Sequence, residues 1–377
     1  MEEWKTYRLG ELVNILDSQR IPLSSSQRAS KRGKIPYWGA QGIIDYIDDF
    51  IFDGRYLLIA EDGENLNSRK QPIANFASGK FWVNNHAHIV ESNGKCDIDY
   101  IYYWLNLSDL SAYITGSAQP KLNQYNLSVI ELKLPSIEKQ KIVSRVLKSL
   151  DDKIELNRKI NDNLEESAQE LFNYYLFHNR QNMGDYKSGV LTDIATYTNG
   201  LAMQKYPPVS SEHSMPVLKI KELGQGYCDD NSDKCSTAIR SNCIVNNGDV
   251  IFSWSGTLMV KIWCGERCGL NQHLFKVTSD IYPKWFNYFW TKHHLKRFIR
   301  VAQDKAVTMG HIKRCELETS EVIIPNTPML RLIDSKISPI LNQMINLQVE
   351  NNRLESIRDS LLPKLMSGEL KINDLTE

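Results

Sequence analysis

Apolar positions in the middle of the chain recur in steps of three and four: Leu147, Leu150, Ile154, Asn157, Asn161, Leu164, Ala168, Leu171 and Tyr175. The same steps return near the end in Ile337, Ile340, Met344, Leu347, Asn351, Leu354, Arg358, Leu361 and Leu365. A seam of alternating threes and fours marks a helix paired along its length with another. Two long helices are therefore predicted, the first from about residue 138 to 177 and so roughly 60 Å long. Ser136 and Asn326 stand as N-caps, and Pro328 falls in a first turn, where a missing N–H costs nothing. Gly184 and Gly368 follow the ends. Pro339 and Pro363 are expected to kink or restart the second helix, since each removes an interior hydrogen bond. Elsewhere the pattern shortens to strand-like runs: Tyr56 to Ala60, Phe81 to Val90, Val250 to Trp254, Leu258 to Cys264 and His273 to Thr278. One helix follows each set, from near Asp97 to near Ile114 and from near Pro283 to about Arg300. The fold class is α+β.

The chain is also duplicated. With Pro135 set against Pro325, and no gaps, Leu127 meets Leu317, Glu131 meets Glu321, Asn161 meets Asn351, Leu164 meets Leu354 and Leu171 meets Leu361. Upstream the echo continues with insertions: Trp4-Lys5 against Tyr186-Lys187, the run from Gly54 against that from Gly248, and Val83-Asn-Asn-His86 against Leu270-Asn-Gln-His273. The order is A-B-A′-B′, with α+β units at 1–134 and 186–324 and helical segments at 135–185 and 325–377. Because B leads into A′ and B′ leaves it, pairing the seams requires antiparallel helices. That places the matched units at the two ends of a rod, related by a pseudo-twofold. The seam residues are Leu150, Ile154, Asn161, Leu164 and Leu171 with Ile340, Met344, Asn351, Leu354 and Leu361. The competing reading packs each helix on its own α+β unit. Two matched modules at such a separation suit a ligand with two half-sites, and B-DNA offers these at about 34 to 36 Å per turn.

Composition narrows the class. Hydrophobic residues make up 42 % and charged residues 24 % of 377, which excludes a disordered tail or a fibre. Lys+Arg and Asp+Glu both number 45, so any nucleic-acid site must be local. No leader-like segment opens the sequence and no apolar stretch reaches bilayer length, so a cytoplasmic protein with no membrane contact is expected. The seven cysteines are irregularly spaced, with a lone C-x3-C at Cys264 and Cys268, and neither a disulfide framework nor a metal site is expected.

Local chemistry sits in loops. In A, Arg28, Lys31, Arg32 and Lys34 precede Tyr37 and Gln41, and Asn67, Arg69 and Lys70 follow a strand. In A′ the corresponding residues are Lys219, Lys221 and Gln225, then Ser253, Ser255 and Thr257, then Thr308, His311 and Lys313. Cations for phosphate, with amides and hydroxyls for base edges, form the mixture that groove readout needs. Solvated loops have a similar composition. The run His293-His294-Leu-Lys296-Arg297 reads equally as a phosphate patch or as cations at a helix end. His86 and His273, placed inside apolar strands, read as hydrogen-bonded structural histidines in preference to DNA contacts. No phosphate-binding, dinucleotide or zinc-protease motif occurs, nor a methyltransferase tetrad. The nuclease-like spacing of Glu131 and Lys133 loses its lysine in the echo at Glu321. A recognition protein without chemistry of its own is expected, and a helical-rod scaffold that binds no DNA stays open.

Ile142 to Phe172 and Arg353 to Leu370, together with Gly248-Asp-Val-Ile-Phe-Ser-Trp-Ser-Gly256 and Leu270-Asn-Gln-His273, resemble the specificity subunits of type I restriction-modification systems over essentially the whole chain. The resemblance implies two target recognition domains, each reading half of a bipartite double-stranded DNA site, and conserved helices that space them and dock two modification subunits. It further implies that S-adenosylmethionine, ATP and magnesium bind the modification and restriction-translocase partners, with no cofactor on this chain. The neutral net charge departs from a free-standing DNA binder and implies that partners complete the grip. Another phage-defence system using such domains is the nearer alternative.

Overall fold

The structure, a computed structural model, describes residues 4–179, 185–304 and 312–370. The chain divides into two compact units, Met1–Asp152 with Ser356–Glu377, and Lys153–Glu355. No helix among the described residues is long and apolar enough to cross a membrane.

Unit 1 contains β1 (Lys5–Arg8), β2 (Val13–Ile15), α1 (Ser25–Ser30), β3 (Arg32–Gly39), β4 (Gly42–Ile47), β5 (Phe52–Ala60), α2 (Asn65–Ser68), β6 (Ala74–Val83), β7 (Ala87–Ser92), α3 (Ile98–Leu107), α4 (Gln124–Ser128), β8 (Glu131–Leu134) and the start of α5 (Ile137–Asn173). Six strands form a sheet in the order β2-β7-β5-β6-β3-β4, with only β3 and β6 parallel. Successive strand residues face opposite sides, so a strand covered on both faces reads as an unbroken apolar run. The run Leu57 to Ala60 is such a case. Leu57 and Ile59 join a core with Tyr100, Ile101 and Leu105 of α3, while Leu58 packs with Phe81, Val83 and Ile89. Burying each such side chain contributes about 1.5–3 kcal/mol. The run from Phe81 to Val90, expected as one strand, is two, because Asn84 opens a turn between β6 and β7. Asp97 caps α3 by accepting from the Tyr100 N–H. The helix stops at Leu107, well short of the expected Ile114, where the Arg69 guanidinium takes its last carbonyls.

Unit 2 holds the remainder of α5, a π-helical turn at Tyr174–His178, then β9 (Tyr186–Val190), α6 (Leu191–Ile194), β10 (Thr196–Asn199), β11 (Ser214–Leu218), α7 (Ile220–Gln225), β12 (Lys234–Ser236), β13 (Ile244–Val245), β14 (Val250–Ser253), β15 (Met259–Ile262), β16 (Cys268–Leu270), β17 (Leu274–Thr278), α8 (Lys284–Asp304), α9 (Cys315–Glu318), β18 (Glu321–Pro325) and most of α10 (Thr327–Ser367). Its sheets run β10-β17-β14-β15 and β12-β11-β16-β13. Trp285, Phe286, Phe289, Trp290 and Phe298 of α8 fill the main core against β14 and β17. Helix α8 extends past the expected Arg300, so the basic run at His293 to Arg297 lies mid-helix and is no helix end. Arg297 donates to the Glu316 carbonyl, and the His294 ring bonds the Glu321 carbonyl.

The duplication is visible strand by strand. In unit 1 the first strand pairs with the last, Lys5 opposite Leu134, and in unit 2 β9 pairs with β18, Lys187 opposite Ile324. The parallel pair recurs too, as Trp38 beside Val83 and as Leu218 beside Leu270.

The two long helices run antiparallel. Within unit 2, Asn161 Nδ2 donates to the Met344 carbonyl, Asn157 Nδ2 to Asn351 Oδ1 at 2.9 Å, and Asn351 Nδ2 to the Ile154 carbonyl. Arg158 and Glu355 flank this ladder with an ion pair. Within unit 1, Val143 and Leu147 share a core with Leu365 and Met366, and Arg358 pairs with Asp151. Ile154 and Asn351 are buried, whereas Leu150, Asn161, Leu164, Leu171, Ile340, Met344, Leu354 and Leu361 are half-buried. Towards one end of each helix the buried face leaves the seam and steps by fours, through Ala168, Phe172 and Leu176 and through Ile333, Ile337 and Leu341, all in the core of unit 2. An α-helix of 3.6 residues per turn drifts out of a 3.5-residue seam, and here the drift turns both helices onto the α+β body. Asn326 caps α10 through the Met329 N–H. Of the two outcomes expected at Pro339 and Pro363, a restart does not occur, since α10 spans both. Both prolines lie on its exposed side, away from the cores.

Candidate nucleic-acid interface

In unit 1 the loops after β3, β5 and β6 and the loop before α4 meet at one end of the sheet. Three backbone bonds tie them: Asn84 N–H to the Trp38 carbonyl (3.0 Å), Glu61 N–H to the His86 carbonyl (2.9 Å) and Leu122 N–H to the Glu61 carbonyl (2.8 Å). Unit 2 repeats all three, as Asn271 to Leu218 (3.1 Å), Trp254 to His273 (3.4 Å) and Ile312 to Trp254 (3.1 Å). Each unit thus builds the same loop-bearing end from different side chains.

Several expected contact residues are placed otherwise by the fold. Tyr37 is fully buried, its hydroxyl accepting from the Leu23 N–H, so it belongs to the core and not to an interface. Arg69 is half-buried, and its Nη2 donates to the carbonyls of Leu105, Asn106 and Ser108, so it holds the end of α3. Ser253 and Ser255 are buried, the Ser253 hydroxyl donating to the Ser255 and Thr257 carbonyls and shaping the loop from inside. Arg28 lies over the Tyr37 ring and bonds Asp45. Chiefly that hydrogen bond, with the Tyr46 N–H and the nearby charge of Arg32, holds the Asp45 carboxyl below its ordinary range. Lys31 pairs with Asp49, Lys219 with Asp233 and Lys221 with Asp229, while Gln225 Nε2 donates to the Tyr227 carbonyl. Arg32, Lys34, Gln41, Asn67, Lys70, Thr257 and Lys313 are exposed. Lys34, Lys70 and Lys313 have no ion-pair partner among the described residues. Thr308 and His311 lie outside the described residues. His86 is not inside a strand: it sits exposed in the β6–β7 turn with Nδ1 2.7 Å from Asp62, and His273 occupies the matched turn before β17.

Behind the loops of unit 1 lies a charged cluster that no sequence spacing announced, because its members come from four separate segments. His88, fully buried, sets Nδ1 2.5 Å from Asp17 and Nε2 2.7 Å from the Leu122 carbonyl. Arg20 bridges Asp17 and Glu61, and Lys121 reaches Glu61 at 3.2 Å. Asp17, Glu61 and His88 are ligand-type groups within 4.8 Å of one another, yet Arg20 and Lys121 already neutralise the carboxylates. Burial alone would raise both acids. That burial is the largest single influence on each, but for Asp17 the bond and charge of His88 with the Ile89 N–H and Arg20, and for Glu61 the bonds to Arg20 and Lys121 with the charge of His88, together outweigh it and hold each below its ordinary value. Folded values below the unfolded 3.8 and 4.5 mean stability that is present above about pH 4.5 and lost as pH falls through the folded values. Urea midpoints at pH 7, 5, 4 and 3 should therefore drop at the acid end. Asp17→Asn should flatten that drop, and an unaltered pH profile in the variant would contradict the assignment.

A family model described as type I restriction modification DNA specificity domain matches residues 1–166 and 183–359. The MjaIX type I restriction enzyme specificity subunit of Methanocaldococcus jannaschii is 28 % identical over 350 residues, covering 85 % of this chain and 80 % of that protein. S.HindORF215P of Haemophilus influenzae is 35 % identical over 148 residues, a segment spanning 39 % of this chain and 37 % of the relative. Among solved structures, the type I restriction-modification S subunit from M. genitalium superimposes with a TM-score of 0.62 at 15 % identity, over 97 % of this chain and 96 % of that one. The duplicated loop-bearing units, the antiparallel helices and a family match over nearly the whole chain lead to one conclusion: this chain belongs to the type I restriction modification DNA specificity domain family.

Proposed function

We propose that this chain is the DNA sequence-recognition subunit of a type I restriction-modification enzyme. Its two α+β units act as target recognition domains that each read one half of a bipartite double-stranded site. The carrying observation is the loop-bearing end built twice with the same three backbone bonds, since a duplicated frame with divergent side chains suits two half-sites of one duplex but different sequence. Arg32, Lys34, Gln41, Asn67 and Lys70 in unit 1, and Thr257, Thr308, His311 and Lys313 in unit 2, supply phosphate and base-edge contacts. The chain performs no catalysis itself. The helices space the two units and dock two modification subunits, which with the restriction-translocase subunits carry S-adenosylmethionine, ATP and magnesium.

The test is a map of N6-methyladenine in DNA from cells expressing this chain with the modification subunit encoded beside it. A two-part motif with a fixed gap is expected, one half changing when residues 1–134 are exchanged for those of a relative and the other when residues 186–324 are exchanged. An assembled, active complex that yields no such motif would refute the proposal.

A further inference from the structure

The loop ends share more than backbone. In both units an asparagine leads the turn between the matched strands, and its side chain accepts the N–H two residues on: Asn84 Oδ1 from His86 at 2.8 Å, Asn271 Oδ1 from His273 at 3.3 Å. Both asparagines are 7 % exposed and serve as the turn's frame. Between each asparagine and its histidine stands one further residue, and both times it carries a carboxamide: Asn85, exposed, and Gln272, half-buried. The Asn85 amide makes no side-chain hydrogen bond among the described residues. Gln272 has only a 3.4 Å approach of its Nε2 to the His273 ring. Neighbouring positions on the same loop ends differ, with Asp62 at the β5 loop of unit 1 and Gly256 and Thr257 at the β14 loop of unit 2.

Side chains that differ between the units suit what differs between two half-sites, and side chains that agree suit what the half-sites have in common. A carboxamide offers one donor and one acceptor side by side. In the major groove adenine presents the complement, an N7 acceptor beside an N6 donor, whereas guanine presents two acceptors. We infer, building on the recognition role proposed above, that Asn85 and Gln272 are specificity-determining residues, each reading an adenine in its own half-site through a bidentate contact. The extra methylene of Gln272 compensates for a turn that stands less exposed than that of unit 1.

The experiment selects binding sequences from random duplexes with the full chain in its assembled complex, for wild type, Asn85→Ala and Gln272→Ala, after matched thermal midpoints establish that both variants fold. Each variant should lose the preference for one adenine in one half only, a different half for each. Replacing that adenine by 7-deazaadenine should weaken wild-type binding about tenfold and leave the cognate variant unchanged. A wild type that selects a two-part sequence which both variants retain would overturn the assignment. Equal loss on selected and scrambled duplexes would overturn it as well, by showing a backbone contact. A wild type that selects no sequence would instead sink the recognition reading, and this inference with it.

Discussion

Arg69→Ala is expected to lower the stability of the chain by about 2–3 kcal/mol, read as a shifted urea midpoint, while DNA affinity per folded molecule stays the same. The last carbonyls of a helix have no partner within it, and those of α3 are taken by the Arg69 Nη2, 3.1 Å from Leu105 O and 3.2 Å from Asn106 O. Removing the guanidinium leaves these acceptors half-buried without a donor. Arg69 is also the one non-glycine residue with positive φ (50°) among the described residues, a conformation that costs a side-chain-bearing residue about 1 kcal/mol. Arg69→Gly loses the same hydrogen bonds but sheds that strain, so it should fall about 1 kcal/mol less far than the alanine variant. An alanine variant with an unchanged midpoint and weakened DNA binding would return Arg69 to the interface. Lys70, exposed beside it, should show the reverse behaviour when replaced: stability held, with binding and its salt dependence reduced.

The second large effect is expected in the helix seam. Asn351→Leu should cost about 1–3 kcal/mol, because it takes one of two acceptors from the amide of Asn157, which is fully buried and would keep only Glu350 Oε2, and a donor from the Ile154 carbonyl. Asn157→Leu should cost a similar amount for the same reason. The double variant should recover most of the loss, since two leucines replace a polar pair with apolar contact and leave no buried amide unpaired there, while the half-exposed Glu350 keeps Lys153. A double-mutant cycle on urea midpoints measures this coupling. Additive losses would show that the two amides do not depend on each other. The double variant should also tolerate slipped registers that the asparagine pair penalises, which would appear as heterogeneous helix cross-linking between cysteines placed at exposed seam-flanking positions.

Much of the site was hidden from the sequence for identifiable reasons. Arg69 and Lys70 are adjacent and both basic, yet one caps a helix and the other meets solvent, and only the packing of α2 against the end of α3 separates them. Tyr37 looked like an aromatic beside a basic loop, and the sheet turned it inward. The cluster of Asp17 and Arg20 with Glu61, His88 and Lys121 draws on four segments with no spacing that composition or motif could reveal. His86 reads as a strand residue because apolar stretches flank it on both sides, and only the structure shows that the short polar stretch Asn84-Asn85-His86 is a turn between two strands.

The sequence by itself determined the class, the duplication and the direction of the helices. Periodicity and repeat are properties of many residues at once, and no single contact can overturn them. The antiparallel asparagine ladder agrees with that arithmetic, whereas the pairing of the first and last strand of each unit is seen only in the structure. Only the tertiary structure decided which polar side chains remain free for a ligand. A cation or amide in a loop has a choice between a carboxylate, a helix end and solvent, and residues distant in the chain, brought near by the sheets, make that choice for it.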